Sequence, residues 1–178
     1  MKRIYVWDPV VRIFHWAVVA GFAANAIFTR PGKTLHQNLG LLVLGLVALR
    51  LVWGLIGGRH ARFADFPPDP GAAMGQLRDM ATGRKHVHIG HSPLGALMIY
   101  NLLATLAGIG VTGYMMTTVT WFGVDWVKQA HTVLVTWAEV SVALHIAAVV
   151  CESRRLRMNL PKAMLTGYKT VADTRLDP

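Results

Sequence analysis

The chain has 178 residues, 53% of them apolar and only 15% charged, with a net charge of +9 and a single cysteine, Cys151. Soluble domains carry about 25% charged residues, so an ordinary soluble domain is excluded. One cysteine excludes an internal disulfide, a Cys-x-x-Cys-His haem attachment and a cysteine-ligated iron–sulfur cluster.

Residues 1–8 form a short basic head, and Pro9 suits the first turn of a helix. A first apolar span is predicted over about 10–28. Lys2, Arg3 and the Ala24-Asn25-Ala26 triplet loosely imitate a secretory signal. The length of the run, with Arg12 and His15 in its first turns, predicts a retained span instead. Arg30-Pro-Gly-Lys33 makes a turn, and a second span over 35–56 stops at Gly57-Gly58.

Residues 57–91 read as a polar loop, with a short surface helix around 72–81. Ser92-Pro93 is an N-cap followed by a proline at the first helical position, opening a third span over 93–116. Trp121 and Trp126, in a loop over 117–130, suit an aromatic belt at a membrane boundary. The fourth span covers 131–151. In the basic tail, 152–178, Arg154, Arg155, Arg157 and Lys162 suit the anionic inner leaflet.

The expected fold is all-α: one domain, 1–178, forming an integral membrane four-helix bundle. Four spans put the head, the 57–91 loop and the tail on one side, with 14 lysines and arginines. The other side has only Arg30, Lys33 and Lys128. The positive-inside rule then makes both termini cytoplasmic. Basic residues that flank spans in this way speak for lipid as the partner, not nucleic acid.

His60, His86 and His88 read as solvated loop residues. His15, His36, His131 and His145 lie in spans, where ionisable groups are costly. His131 and His145 are 14 residues apart, so they share a helix face at depths about 21 Å apart. The predicted orientation puts His15 and His145 toward the cytoplasm, and His36 and His131 at the outer face. Two imidazoles facing each other suit a planar iron macrocycle with one axial ligand on each side. Zinc usually takes three or four protein ligands. Bis-histidine ligation leaves no open position and favours electron transfer. Zinc binding or plain packing of the histidines stands as the alternative.

Haem propionates need cations or donors. Arg12 shares a face with His15, and Arg50, 14 residues after His36, projects toward the cytoplasmic site. His91, at the start of span three, is a third candidate. Glycines at 40, 45 and 54, and at 108, 110 and 113, would let a flat ring or a neighbouring helix approach. Glu139 lies near mid-span, roughly 120° around the helix from His145. It reads as a protonated, paired group or as part of a proton path.

Four stretches resemble the bacterial cytochrome b561 family, in particular the b-type cytochrome subunit of nickel–iron hydrogenases. They are Trp7-Asp-Pro-Val-Val-Arg-Ile-Phe-His-Trp16; His36-x-x-x-Gly40 with Arg50-Leu-Val-Trp-Gly54 and Arg59-His-Ala-Arg-Phe63; Gly90-His-Ser-Pro-Leu-Gly95; and the His131/His145 pair with Glu152-Ser153 and Ala163-Met-Leu-Thr-Gly167. The resemblance implies two non-covalent b haems in a bacterial inner-membrane protein. His15/His145 would be the cytoplasmic-side pair and His36/His131 the periplasmic-side pair. It also implies electron exchange with quinone and with a periplasmic redox protein, either a c-type cytochrome or a hydrogenase-like subunit. Small members of the wider family suggest an alternative, a superoxide:quinone oxidoreductase acting alone. There Arg30, Lys33 and Lys128 would attract the anion.

Overall fold

The computed structural model describes residues 2–171. The chain is mostly helical. Its elements run β1 (Lys2–Tyr5), α1 (Pro9–Phe28), α2 (Thr34–Ile56), α3 (Pro70–Ala81), α4 (Pro93–Met115), α5 (Asp125–Leu156), α6 (Leu160–Thr166) and β2 (Tyr168–Val171), with a 3₁₀ turn over Phe63–Asp65. Helices α1, α2, α4 and α5 are long and apolar enough to cross a membrane. Large apolar residues such as Leu41, Leu49, Leu55, Val133 and Ile146 face outward along them, as lipid requires and water would penalise. The chain is a multi-pass membrane protein.

Three of these helices start and stop within about a residue of the predicted spans. Asp8 caps α1 by accepting the Val11 amide at 2.9 Å, and Ser92 caps α4 by accepting the Gly95 amide at 3.2 Å. Helix α5 differs. It begins at Asp125 rather than 131 and runs 32 residues to Leu156, so Trp126, Arg154 and Arg155 are helical. Asp125 sits in its first turn and Arg154 and Arg155 in its last, each favoured there by the helix dipole.

The chain divides into two units, and each long helix contributes to both. The first unit holds the described residues up to Arg12, Trp53–Tyr100, and those from Ala143 on. Here the head and tail pair as antiparallel strands, with Tyr5 opposite Tyr168. Their rings meet edge to face at 5.2 Å. Gly167, at φ +87, ends α6 in the left-handed conformation, and its carbonyl accepts the Val6 and Trp7 amides. A Cβ there would lie 2.9 Å from the Trp7 carbonyl oxygen, so glycine is required on two counts.

Lys169, one of the basic residues of the tail, does not lie on the surface. It is 7% exposed, and its Nζ donates to the carbonyls of His88 (3.2 Å), Ile89 (2.9 Å) and Gly90 (2.7 Å). Burial pulls its pKa down to about 8, so at neutral pH the amine keeps three hydrogens for three carbonyls. Lys169→Met leaves those carbonyls unsatisfied. The expected loss is about 2 kcal/mol, read as a lower denaturant midpoint, with faster amide exchange in residues 84–91.

The second unit holds Ile13–Val52 and Asn101–Val142. Gly110 of α4 lies so close to α2 that a Cβ would meet Leu44 Cδ1 at 2.7 Å. Farther along, Asn101 donates to Ser141 Oγ at 2.9 Å and accepts the Trp137 indole N–H at 2.9 Å. These two bonds pin α4 to α5 at mid-span.

Candidate functional site

His36 lies in the first turn of α2, and His131 two turns into α5. Both belong to the second unit, where their ring centroids are 6.4 Å apart and their planes 70° apart. Two imidazoles bound to one metal through nitrogens at about 2 Å on opposite sides need centroids roughly 6 Å apart. The observed spacing fits one shared metal. Among the described residues no group of three or more His, Cys, Asp or Glu side chains is placed to hold a metal ion. The pair therefore suits a macrocycle that supplies its own four equatorial ligands, and suits zinc poorly.

Both rings are held by Nδ1. His131 Nδ1 lies 3.1 Å from the Ile109 carbonyl oxygen and 3.0 Å from Thr112 Oγ1. A carbonyl only accepts, so Nδ1 carries the proton. The Thr112 hydroxyl gives its own hydrogen to the Gly108 carbonyl at 2.7 Å, and it too accepts from the ring. His36 Nδ1 lies 3.1 Å from Thr29 Oγ1, whose hydrogen goes to Asn25, either the carbonyl at 2.6 Å or Oδ1 at 2.7 Å. Asn25 Nδ2 also donates to the His36 carbonyl at 3.2 Å. In each ring the proton on Nδ1 leaves the Nε2 lone pair free for a metal, the arrangement found around ligating histidines.

Sequence reasoning missed Thr29, Thr112 and the Ile109 carbonyl. Threonines in apolar helices usually bond back to their own backbone, as Thr112 does here, and nothing in the spacing marks the second bond to histidine. Of the glycines named above, Gly108 faces Leu134, Gly110 faces Leu44 and Gly113 faces the His131 ring. Gly54 packs under the Phe63 ring, while Gly45 meets open space.

His15 is half-buried on α1, edge-on to Trp16 at 5.0 Å. His145 is half-buried on α5 and falls in the first unit. Arg50 is 3% exposed in the second unit. In the first unit, Arg12 donates from Nη1 to the Leu165 carbonyl at 2.7 Å. Its Nε is buried with no hydrogen-bond partner among the described residues, as a binder of an outside anion would be. The His91 ring packs at a tilt between Phe66, at 4.1 Å, and Trp7, at 4.6 Å. Glu139 is exposed on α5.

The remaining histidines lie in the first unit. His86 is exposed and lies 3.6 Å from Asp79. His60 and His88 are half-buried, with pKa values lowered chiefly by burial. The solvated reading therefore holds best for His86.

A family model described as prokaryotic cytochrome b561 matches residues 6–167. The chain is also 25% identical, over 221 aligned positions, to a Cupriavidus necator protein named probable Ni/Fe-hydrogenase B-type cytochrome subunit. That match covers 97% of this chain and 89% of the relative. No solved structure matches the chain.

Proposed function

The chain belongs to the prokaryotic cytochrome b561 family, and from that premise we propose that it is a dihaem b-type cytochrome carrying electrons across the bacterial inner membrane between a periplasmic redox protein and the quinone pool. The observation that carries this reading is the His36–His131 pair, 6.4 Å apart, with each Nδ1 engaged so that each Nε2 is a base.

The four spans would form one bundle with both termini in the cytoplasm. His36 and His131 hold the periplasmic-side haem in this reading, and His15 and His145 the cytoplasmic-side one. When bound, haem b would supply reversible one-electron chemistry, and the paired histidines would hold it for electron transfer. The protein's contribution is orientation and electrostatics. Thr29 and Thr112 fix the ring planes. Arg50, Arg12 and His91 are the groups that would meet propionates, which need cations or hydrogen-bond donors. The relative's name makes a hydrogenase-like subunit one candidate for the outer partner, beside a c-type cytochrome.

The test is a dithionite-reduced minus oxidised spectrum of the purified protein, with iron and haem quantified against protein. Low-spin b-type bands and two haems per chain are expected. Correctly inserted protein that contains no iron would sink the proposal.

A further inference from the structure

A cavity of about 580 Å³ opens where α5 ends, lined by the α5–α6 turn, α6 and β2. Arg3, Arg157, Lys162 and Lys169 line it, and among the described residues no acidic side chain does. Lys169 already spends its ammonium on three carbonyls. Arg3, Arg157 and Lys162 enter no ion pair among the described residues. The wall behind these cations is apolar and includes Leu156, Met158 and Leu160.

A second, more open cavity of about 360 Å³ shares Arg157, Met158 and Asn159 with the first. It continues along α5 as far as Val150. Val150 is 42% exposed and lies within the apolar part of the span. Arg154 also lines the second cavity, so the two make one track, cationic from Arg3 to Arg154 and reaching the exposed Val150 on the span at its far end.

Arg157 belongs to both cavities and has φ +54. It occupies the turn that closes α5, where the Met158 amide returns to the Ser153 carbonyl at 3.0 Å. Glycine is the usual residue there, because a side chain in the left-handed region is strained. An arginine kept in a strained conformation points to a use for its side chain.

We propose that this track binds one anionic glycerophospholipid. Its phosphate lies among Arg3, Arg157 and Lys162, and an acyl chain follows α5 past Val150. The charge selects an anion. The apolar continuation onto the span selects a lipid over a soluble phosphate, because only an amphiphile fills both ends. Basic pockets beside spans are a known form of headgroup recognition.

The full chain in detergent, titrated with phosphatidylglycerol or phosphatidylcholine and read by native mass spectrometry, tests this directly. Phosphatidylglycerol should bind at least about tenfold more tightly, and each cation removed should weaken it about fivefold. Arg157→Gly is the decisive variant, because it removes the charge while suiting the turn. Its melting temperature without added lipid should not fall, yet its preference for phosphatidylglycerol should. Arg157→Lys should keep that preference, and adding Lys162→Ala to Arg157→Gly should weaken it further. Equal binding of the two lipids, or an Arg157→Gly protein that retains the full preference, overturns the proposal. So does displacement of phosphatidylglycerol by inorganic phosphate at comparable concentration, which would mark a soluble-anion site.

Discussion

His36→Ala and His131→Ala should each remove the same one of two haems, halving the haem content and leaving the other low-spin signal in place. The two rings lie 6.4 Å apart with both Nδ1 atoms already engaged, so losing either would leave one imidazole to hold the group that the pair would hold together. The double variant should be no worse than either single one, because residues acting as a unit are not additive. His15→Ala and His145→Ala should remove the other haem, and His15→Ala combined with His36→Ala should remove both. Thr112→Val tests the support beneath His131. It keeps the ring and the Ile109 carbonyl contact but loses one acceptor, so haem affinity at that site should fall about 10- to 100-fold without vanishing. Haem-to-protein ratios and electron paramagnetic resonance of the oxidised protein read all of these. If His36→Ala and His131→Ala abolish different signals, the pairing is wrong.

What could be seen in the sequence follows from what each signal measures. Hydropathy finds residues that must face lipid, so α1, α2 and α4 were delimited closely. It could not find the ends of α5. Residues 125–130 and 152–156 continue that helix outside the apolar stretch, carrying Asp125, Lys128, Glu152, Arg154 and Arg155. Those charges look like loop to hydropathy, yet they cap and lengthen a helix. Depth matching linked His36 with His131, because the predicted spans fix depth along a helix even where rotation is unknown. Rotation decides which threonine lies under which ring, so Thr29 and Thr112 stayed hidden. The β1–β2 pair was out of reach for a different reason. Four residues carry too little periodicity to mark a strand, and the partners sit at opposite ends of the chain. Lys169 shows the same limit. The positive-inside rule counts it as a charge beside the membrane, whereas its neighbours bury it against the 88–90 backbone.

Gly113→Val should abolish the same haem signal as His131→Ala, although Gly113 ligates nothing. A Cβ at Gly113 would lie 3.2 Å from His131 Cε1 and 3.6 Å from Nδ1. A lone methyl asks the ring to yield by a few tenths of an ångström, so Gly113→Ala should keep its haem with a shifted spectrum. Valine adds two γ-carbons at a branched Cβ with one strongly preferred rotamer in a helix. The imidazole cannot give way without leaving the Ile109 carbonyl and Thr112, which hold its Nδ1 at 3.1 and 3.0 Å. Gly110→Val separates this effect from helix packing at large. It lies one turn away on α4, but its Cβ would press on Leu44, at 2.7 Å from Cδ1 and 2.8 Å from Cβ. Overpacking of that kind costs about 1–3 kcal/mol and should lower the melting temperature with both haem signals preserved. Loss of haem in Gly113→Val but not in Gly110→Val would show that the glycine at 113 makes room for a ring in one orientation. Equal loss in both would show that the site responds only to the distance between helices.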